Sequence, residues 1–440
     1  MKVVNVARKQ TIPSQKEKDA FKKIADFSFD LIKKETSKYS EVTAVEFGGS
    51  YAKGTWLPKT RDLDIFVKFK ESIDSKKFES LGIKIGFDSL KKFKPYVRYA
   101  EHPYVEAIVK GARVNVVPCY NVQSGRWKSA ADRSPFHTKF ITKLLDQQKK
   151  NEVRLLKKFL MGKDLYGAEI AKQAFSGYVT EVLVLHYGSF LGVIKAAANF
   201  KQSQVIGKPT KKFESPLVIV DPIDSNRNLG AAISTESVGR FVLLSRAFLK
   251  NPSIFLNSKT KSRKNLENAL VVIFNYKKRS PDIIWGQIKR AVNAATKQLE
   301  LAGFNVLRKT AALDEKSQGA LLFLLQSTKI EKTMVRSGPD FFKSKDSDKF
   351  IAKNSKKSRL MWINDEGKIL SLQQRPENDA KQFLQNLLKS RIKTSGIPSG
   401  LLPDFKKGFK IQTGRQLTSK SIKEALLDLV STDGLAFRSS

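Results

Sequence analysis

The stretch "FGGSYAKGTWLPKTRDLDIFVKF", residues 47–69, constrains this chain more than any other. Gly48, Gly49 and Ser50 close an apolar strand, and Asp62 and Asp64 stand one residue apart in the next. Strand side chains alternate, so both carboxylates share one face while Leu63 and Ile65 turn into the core. A rise of about 3.3 Å per residue sets their Cα atoms ~7 Å apart. Both can then converge on cations about 3.5–4 Å apart, the separation found in two-metal phosphoryl-transfer sites. Without a cation such a pair needs solvent at a strand edge, or salt bridges to Arg61 and the neighbouring lysines. The glycines let backbone approach a phosphate, and free N–H groups with the Ser50 hydroxyl can hold a triphosphate. No G-K-[ST] follows at the required spacing, so this is not a P-loop, and the glycines alone would fit a plain tight turn. A phosphate cradle feeding a metal-binding strand suits transfer of a nucleotide from a nucleoside triphosphate, with pyrophosphate leaving.

The charge points the same way. Lysine and arginine number 81 against 42 acidic residues, a net +39. Such an excess repels itself, and a compact fold tolerates it best with a polyanionic partner, of which nucleic acid is the natural one. No RGG or Arg-Ser tract is present, so RNA binding would come from folded domains. A chain of 440 residues exceeds one ordinary core, and 41% hydrophobic residues suffice for two to four domains. No apolar run approaches a membrane span, and "MKVVNVARKQTIPSQ" has no signal-peptide core, so a cytoplasmic protein off the membrane is expected. Cys119 is the only cysteine, and the three histidines (His102, His137, His186) lie far apart in sequence. A metal here should therefore be oxygen-bound, which favours Mg²⁺ or Mn²⁺ over zinc.

Local patterns place these motifs. Phe21, Ile24, Phe27 and Leu31 recur at helical spacing over 14–38. "TAVEFGG" reads as a strand, "YAKGTW" as a short helix and "LDIFVKF" as a strand. Residues 104–119 read as a hairpin turning at Gly111-Ala112, and Pro135 is expected to end the first α/β block near residue 140. "NEVRLLKKFLMGK" and "GYVTEVLVLHYGSFLGVIKAAANF" are helical. Residues 215–234 read as a strand and a polar turn carrying Arg227, and "TESVGRFVLLSRAFLKN" as a capped helix. The basic segment 258–265 reads as a linker or an RNA-facing loop. Beyond it strands and helices alternate: "ALVVIFNY", "FNVLRKTAAL", "GALLFLLQ", "RLMWIND" and "ILSLQQR" as strands, "PDIIWGQIKRAVNAATKQLELAG" and "ENDAKQFLQNLLKS" as helices. They suggest an α/β sandwich with one helical face, a sheet type that often carries RNA.

G-S, twelve residues on from the serine, then D-x-D, resembles the nucleotidyltransferase superfamily that includes poly(A) polymerases. The strings "GGSYAKGTWL", "RDLDIFVKF", "RYAEHPYVEAIVKGARVNVVPCY", "DRSPFHTKF", "NEVRLLKKFL", "LYGAE", "FSGYVTEVLVLHYGSF" and "VIVDPIDSNRN" resemble the archaeal class I CCA-adding enzymes, the tRNA nucleotidyltransferases. The likeness is dense over about residues 40–250 and thinner beyond 258. It implies an α+β multidomain fold. A nucleotidyltransferase head with a polymerase-beta-like mixed sheet (1–140) leads into a largely helical central domain (141–257). A C-terminal α/β tRNA-binding body and tail (258–440) follows. It implies untemplated addition of C, C and A from CTP and ATP to tRNA, gripped by its acceptor and TΨC arms. Dimerisation is left open.

Carried over by motif, the resemblance assigns Asp62 and Asp64 to two Mg²⁺ ions, Gly49 and Ser50 to the triphosphate, and Lys53 to assist them. Ser134 and His137 match phosphate-contacting positions, Lys157 and Tyr166 triphosphate and sugar contacts, and Arg227 the arginine that reads the incoming base. From the residues alone, Lys157 reads equally as a solvated helix position, Tyr166 as core, His137 as satisfying a backbone group and Arg227 as surface. One position departs from the pattern: Asn115 stands in "VNVVPCY" where the family carries its third catalytic carboxylate. An amide accepts no proton from a primer hydroxyl and is a weaker metal ligand. Three readings stay open. Two aspartates suffice, or Glu106 substitutes from the same sheet face (with pairs 108–115 and 106–117), or the head is impaired and the protein only binds tRNA. A poly(A) or terminal uridylyl transferase on the same head is the other enzyme reading.

Overall fold

Ser14 and Glu17 form a reciprocal capping box that starts the long helix α2 (Gln15–Thr36), which follows a short α1 (Lys2–Thr11). The computed structural model describes residues 2–437 except Lys59, 100–102, 257–260, 263–265, 315–316, 414–416 and Thr418. His102 and most of the basic segment 258–265 lie outside the described residues. The chain forms two compact units. The first is Met1–Thr260 with Arg279–Trp285 and Asp433–Ser440, and the second is Lys261–Lys278 with Gly286–Thr432.

In the first unit the glycine turn and the double aspartate lie on neighbouring strands. The elements run β1 (Val42–Gly48), α3 (Gly49–Lys53), β2 (Asp62–Phe69), α4 (Ser75–Leu90), β3 (Tyr96–Tyr99), β4 (Pro103–Val109) and β5 (Ala112–Tyr120). The sheet order is β1-β2-β5-β4-β3, with β2 and β5 parallel and the other pairs antiparallel. Leu63, Ile65, Val114, Val116, Val105 and Ala107 form one face, packed into a core with Phe21, Ile24 and Ile32 of α2 and Phe78 and Ile85 of α4. The polar alternates are left on the other face, where the aspartates stand.

Three local readings are corrected. The hairpin turns at Lys110-Gly111, both with positive φ (47° and 80°), which pairs Glu106 with Asn115 and Ile108 with Arg113. The two-residue loop with both central φ values positive matches the right-handed twist of the strands. Glu106 and Asn115 still share a face, now as direct partners. The short helix begins at Gly49, two residues before the expected start. Pro135 does not end the block; it lies in the first turn of α5 (Arg133–Leu144), where a missing N–H costs nothing.

The rest of this unit holds α6 (Gln147–Gly162), α7 (Gly177–Tyr187), α8 (Phe190–Ala198), β6 (Gln204–Ile206), β7 (Leu217–Asp221), β8 (Asp224–Asn228) and α9 (Thr235–Lys250). They surround a second core that includes Leu155, Phe159, Leu183, Phe190, Ile219 and Phe241. "DSNRN" is β8, a strand folded back on β7, so Arg227 stands on a strand and not in a loop. Among the described residues no single helix is long and apolar enough to cross a membrane. The apolar α7 and α8 are bent by 89° and largely buried.

The second unit opens with a two-residue strand, β9 (Lys261–Ser262). It then holds β10 (Ala269–Asn275), β11 (Val306–Leu313), β12 (Gln318–Leu325) and, late in the chain, β16 (Phe409–Thr413). The last four form an antiparallel sheet in the order β11-β12-β10-β16, after the intervening β13 (Thr333–Asp340), β14 (Ser358–Ile363) and β15 (Lys368–Gln374) have made a separate sheet, β13-β15-β14. "ALVVIF" and "ALLFLL" are continuous apolar runs because their sheet is covered on both sides. Ile422, Leu426 and Leu429 pack on one face, and Phe405 stacks on Phe274 at 4.2 Å on the other. The expected single sandwich is thus two sheets, because β14 and β15 pair with β13 and not with β10 or β12.

Candidate active site

One row of pairs crosses all five strands of the first sheet: Gly48–Asp64–Asn115–Glu106–Tyr96. Asn115 Nδ2 donates to Asp64 Oδ1 at 2.9 Å. A Cβ at Gly49 would lie 1.8 Å from Asp64 Oδ2, and Gly49 has φ +60°, so the turn needs glycine both for its backbone and for the carboxylate beside it. Burial pushes the Asp64 pKa up, against the pull of the Asn115 bond. Asp62, half-exposed on the same face, is also pushed up by burial and is steadied by Arg113, whose guanidinium lies 3.6 Å away.

These two carboxylates fit a hard divalent cation. All donors there are oxygens, and Asn115 Oδ1 is buried with no hydrogen-bond partner among the described residues. An orphaned acceptor beside an ionisable carboxylate is a group that a cation would satisfy. Among the described residues no three His, Cys, Asp or Glu side chains gather as a metal site. Glu106 is committed elsewhere: Tyr96 donates its hydroxyl to it, and Arg98 and Arg113 lie 3.3 and 3.7 Å from its carboxylate.

A cavity of about 370 Å³ opens on Asp64. Its wall includes Gly49, Lys53, Asn115, Ser134, His137 and Arg227, which brings together seven of the residues singled out from sequence when Asp64 is counted. Ser50 sits in the first turn of α3, partly buried, and its carbonyl accepts from Thr55 N–H at 2.9 Å. Lys157 and Tyr166 stand behind the wall. Lys157 is fully buried, not solvated, and its Nζ donates to the Thr55 carbonyl at 3.1 Å. The Tyr166 hydroxyl lies against Gly177, where a Cβ would meet it at 2.9 Å and Lys157 Nζ at 3.7 Å.

Two buried carboxylates that the sequence reading passed over organise this wall. Glu181 receives Lys53 Nζ at 2.5 Å and Thr55 Oγ1 at 2.6 Å, and lies 3.5 Å from Lys157. Burial opposes its ionisation, but the two lysines win and hold its pKa below the ordinary value. Burial drives Lys157 down to about 8. Asp221 receives His137 Nε2 at 2.8 Å and Arg227 Nη1 at 3.1 Å on one oxygen, and the Tyr178 hydroxyl at 3.1 Å on the other. The signal for both was a lone acid inside an apolar run, "YVTEVLVL" and "LVIVD".

Family models match in chain order: a nucleotidyltransferase domain over residues 30–143, the second domain of tRNA nucleotidyltransferase over 151–257, and the C-terminal domain of CCA-adding enzyme over 267–414. The CCA-adding enzyme of Saccharolobus shibatae is 36% identical over 387 residues, covering 87% of this chain and 90% of that protein. This chain belongs to the CCA-adding enzyme family. The CCA-adding enzyme of Pyrobaculum islandicum is 37% identical over 345 residues, 77% of this chain and 82% of that protein. Among solved structures, the Cid1 poly(U) polymerase with Mg 3′-dATP aligns at TM-score 0.45 and 16% identity, over 58% of this chain and 97% of that one. That likeness is too weak to carry argument beside the family matches.

Proposed function

We propose that this CCA-adding enzyme extends the 3′ end of tRNA by C, C and A, taken from CTP and ATP without a nucleic-acid template. The observation that carries the reading is the gathering of Gly49, Lys53, Asp64, Ser134, His137 and Arg227 around one cavity in a chain of this family. Asp62 and Asp64 would hold divalent cations, for which we propose Mg²⁺, and these supply activation of the primer hydroxyl and neutralisation of phosphate charge. The primer 3′ hydroxyl loses its proton to solvent as its oxygen bonds to the α-phosphorus of the triphosphate, and the α-phosphorus–oxygen bond to the β-phosphate breaks, releasing pyrophosphate. Gly49 and Ser50 present backbone and hydroxyl donors to the triphosphate. Lys53 adds positive charge at the wall and Lys157 adds it from behind, and Ser134 and His137 contact phosphate. Arg227 meets the base. Asn115 takes no proton; it positions Asp64 through its amide N–H and keeps the site at two carboxylates. The basic surface tracks tRNA phosphates. The cytoplasm, where tRNA matures, is the proposed compartment.

The test gives purified protein a tRNA lacking its 3′ CCA, with Mg²⁺, CTP and ATP, and resolves products to one nucleotide. Three additions that stop are expected. An open-ended homopolymer would move the chain to a poly(A) or uridylyl transferase. Tight tRNA binding with no addition would mean that Asn115 has silenced the head.

Glu181 carries a second expected outcome. Glu181→Gln removes the anion that keeps buried Lys157 charged and Lys53 in place. The KM for CTP and for ATP should each rise about tenfold with a smaller change in kcat, since the lost interaction is ground-state binding. An unchanged KM for both nucleotides in steady-state kinetics would remove Glu181 from triphosphate binding.

A further inference from the structure

Asp221 touches three of the groups that form the cavity wall, His137, Tyr178 and Arg227. Its side chain is wholly buried at the end of β7. Oδ2 accepts from His137 and Arg227, and Oδ1 accepts from the Tyr178 hydroxyl and from Ile223 N–H at 3.1 Å. Four donors from α5, α7 and the β7–β8 hairpin thus end on one carboxylate. His137 also stacks on Tyr178, with ring centroids 3.9 Å apart, so the imidazole is held on its face and at one edge. An ionised carboxylate only accepts, so Nε2 is the protonated ring nitrogen. Arg227 makes one hydrogen bond among the described residues, that to Asp221, and stands at the cavity wall with its side chain about a third exposed.

A guanidinium has five N–H donors in a rigid plane and no acceptor. Cytosine and adenine carry an unprotonated ring nitrogen on the Watson–Crick edge where uracil and guanine carry N–H. A guanidinium fixed in place therefore favours the first pair and meets the second donor to donor. An untethered arginine, with its many rotamers, turns away from a mismatched edge and loses the discrimination. The tether decides whether the group selects.

We propose that Asp221 is a specificity-determining positioning residue, which fixes the Arg227 guanidinium and the His137 ring against the cavity so that C and A are taken and U and G refused. The inference rests on the reading that Arg227 meets the base. Asp221→Asn keeps the shape and removes half the acceptor capacity. Asp221→Glu keeps the charge and shifts the tether by one methylene, which guards against a variant that fails to fold.

The experiment measures kcat/KM for CTP, UTP, ATP and GTP on tRNA lacking its last nucleotides, for the parent, both Asp221 variants, Arg227→Ala and the Asp221→Asn, Arg227→Ala double variant. The CTP/UTP and ATP/GTP ratios should fall at least tenfold in Asp221→Asn and in Arg227→Ala. Asp221→Glu should lose less, and the double variant should lose no more than the worse single change. Ratios that hold in both Asp221 variants but fall in Arg227→Ala overturn the proposal and leave base reading intact. Ratios that hold in Arg227→Ala overturn base reading and the proposal with it. A uniform loss across all four nucleotides, with a lowered melting temperature, would make Asp221 purely structural and also overturn it.

Discussion

Asp64→Asn should abolish nucleotide addition and, in chelator, make the protein more stable than the parent at neutral pH. The first half follows from chemistry. The substitution halves the carboxylates of the site and puts an amide where the cation would need an anionic ligand, so a loss of at least about 10³-fold is expected. The second half follows from burial. Asp64 lies between Gly49 and Asn115, and burial raises its pKa above the ordinary 3.8. A carboxyl whose folded pKa is raised gives its full stabilisation below the unfolded pKa and loses it as pH rises through the folded value. At neutral pH without a cation, the ionised group is a cost. The replacing amide is neutral, still offers an oxygen to Asn115, and carries no such cost. Thermal melts from pH 4 to 8 in chelator should show the variant's advantage growing with pH. A variant that melts lower than the parent at pH 7, or that keeps more than about 1% of the incorporation rate, would remove Asp64 from this role.

The place of this carboxylate could be read before any coordinates because β-strand alternation is a covalent fact. Asp62 and Asp64 had to share a face, and Leu63 and Ile65 had to leave it. The head strands and α2 were legible for the same reason: one period, one buried side. Turn register was not, because Lys110-Gly111 and Gly111-Ala112 both offer a glycine, and only the positive φ at Lys110 decides between them. β8 escaped notice because "DSNRN" has no apolar alternation. It is held as a strand by pairing with β7 and by Asn228, whose side-chain oxygen accepts from Ile219 N–H at 2.9 Å. Glu181 and Asp221 were illegible as hubs because sequence shows the acid but not its partners. Lys53 and Thr55 lie more than a hundred residues from Glu181, and His137 lies 84 from Asp221. Residue types and local periods fix which groups can do chemistry; long-range contacts fix which of them are held still.

Gly49→Ala should cost most of the activity while Gly111→Ala costs none, although both positions have positive φ (60° and 80°). An added methyl at either position pays the left-handed backbone penalty, about 1–2 kcal/mol. The two differ in surroundings. Nothing lies within 4 Å of a Cβ at Gly111, whereas a Cβ at Gly49 would sit 1.8 Å from Asp64 Oδ2 and 2.8 Å from its Cγ. The methyl must displace the carboxylate or the turn, and a shift of about 1 Å at a reacting centre can cost 10²-fold. A loss of at least 10²-fold in kcat is therefore expected for Gly49→Ala. Both variants should melt a few degrees lower and bind tRNA as the parent does. Direct titration with Mn²⁺ adds a readout apart from turnover, since the displaced Asp64 should bind the ion more weakly in Gly49→Ala only. Equal activity in the two variants would mean that the glycine serves only the backbone. Equal loss would mean that the strain itself, and not the contact with Asp64, is what the reaction cannot tolerate.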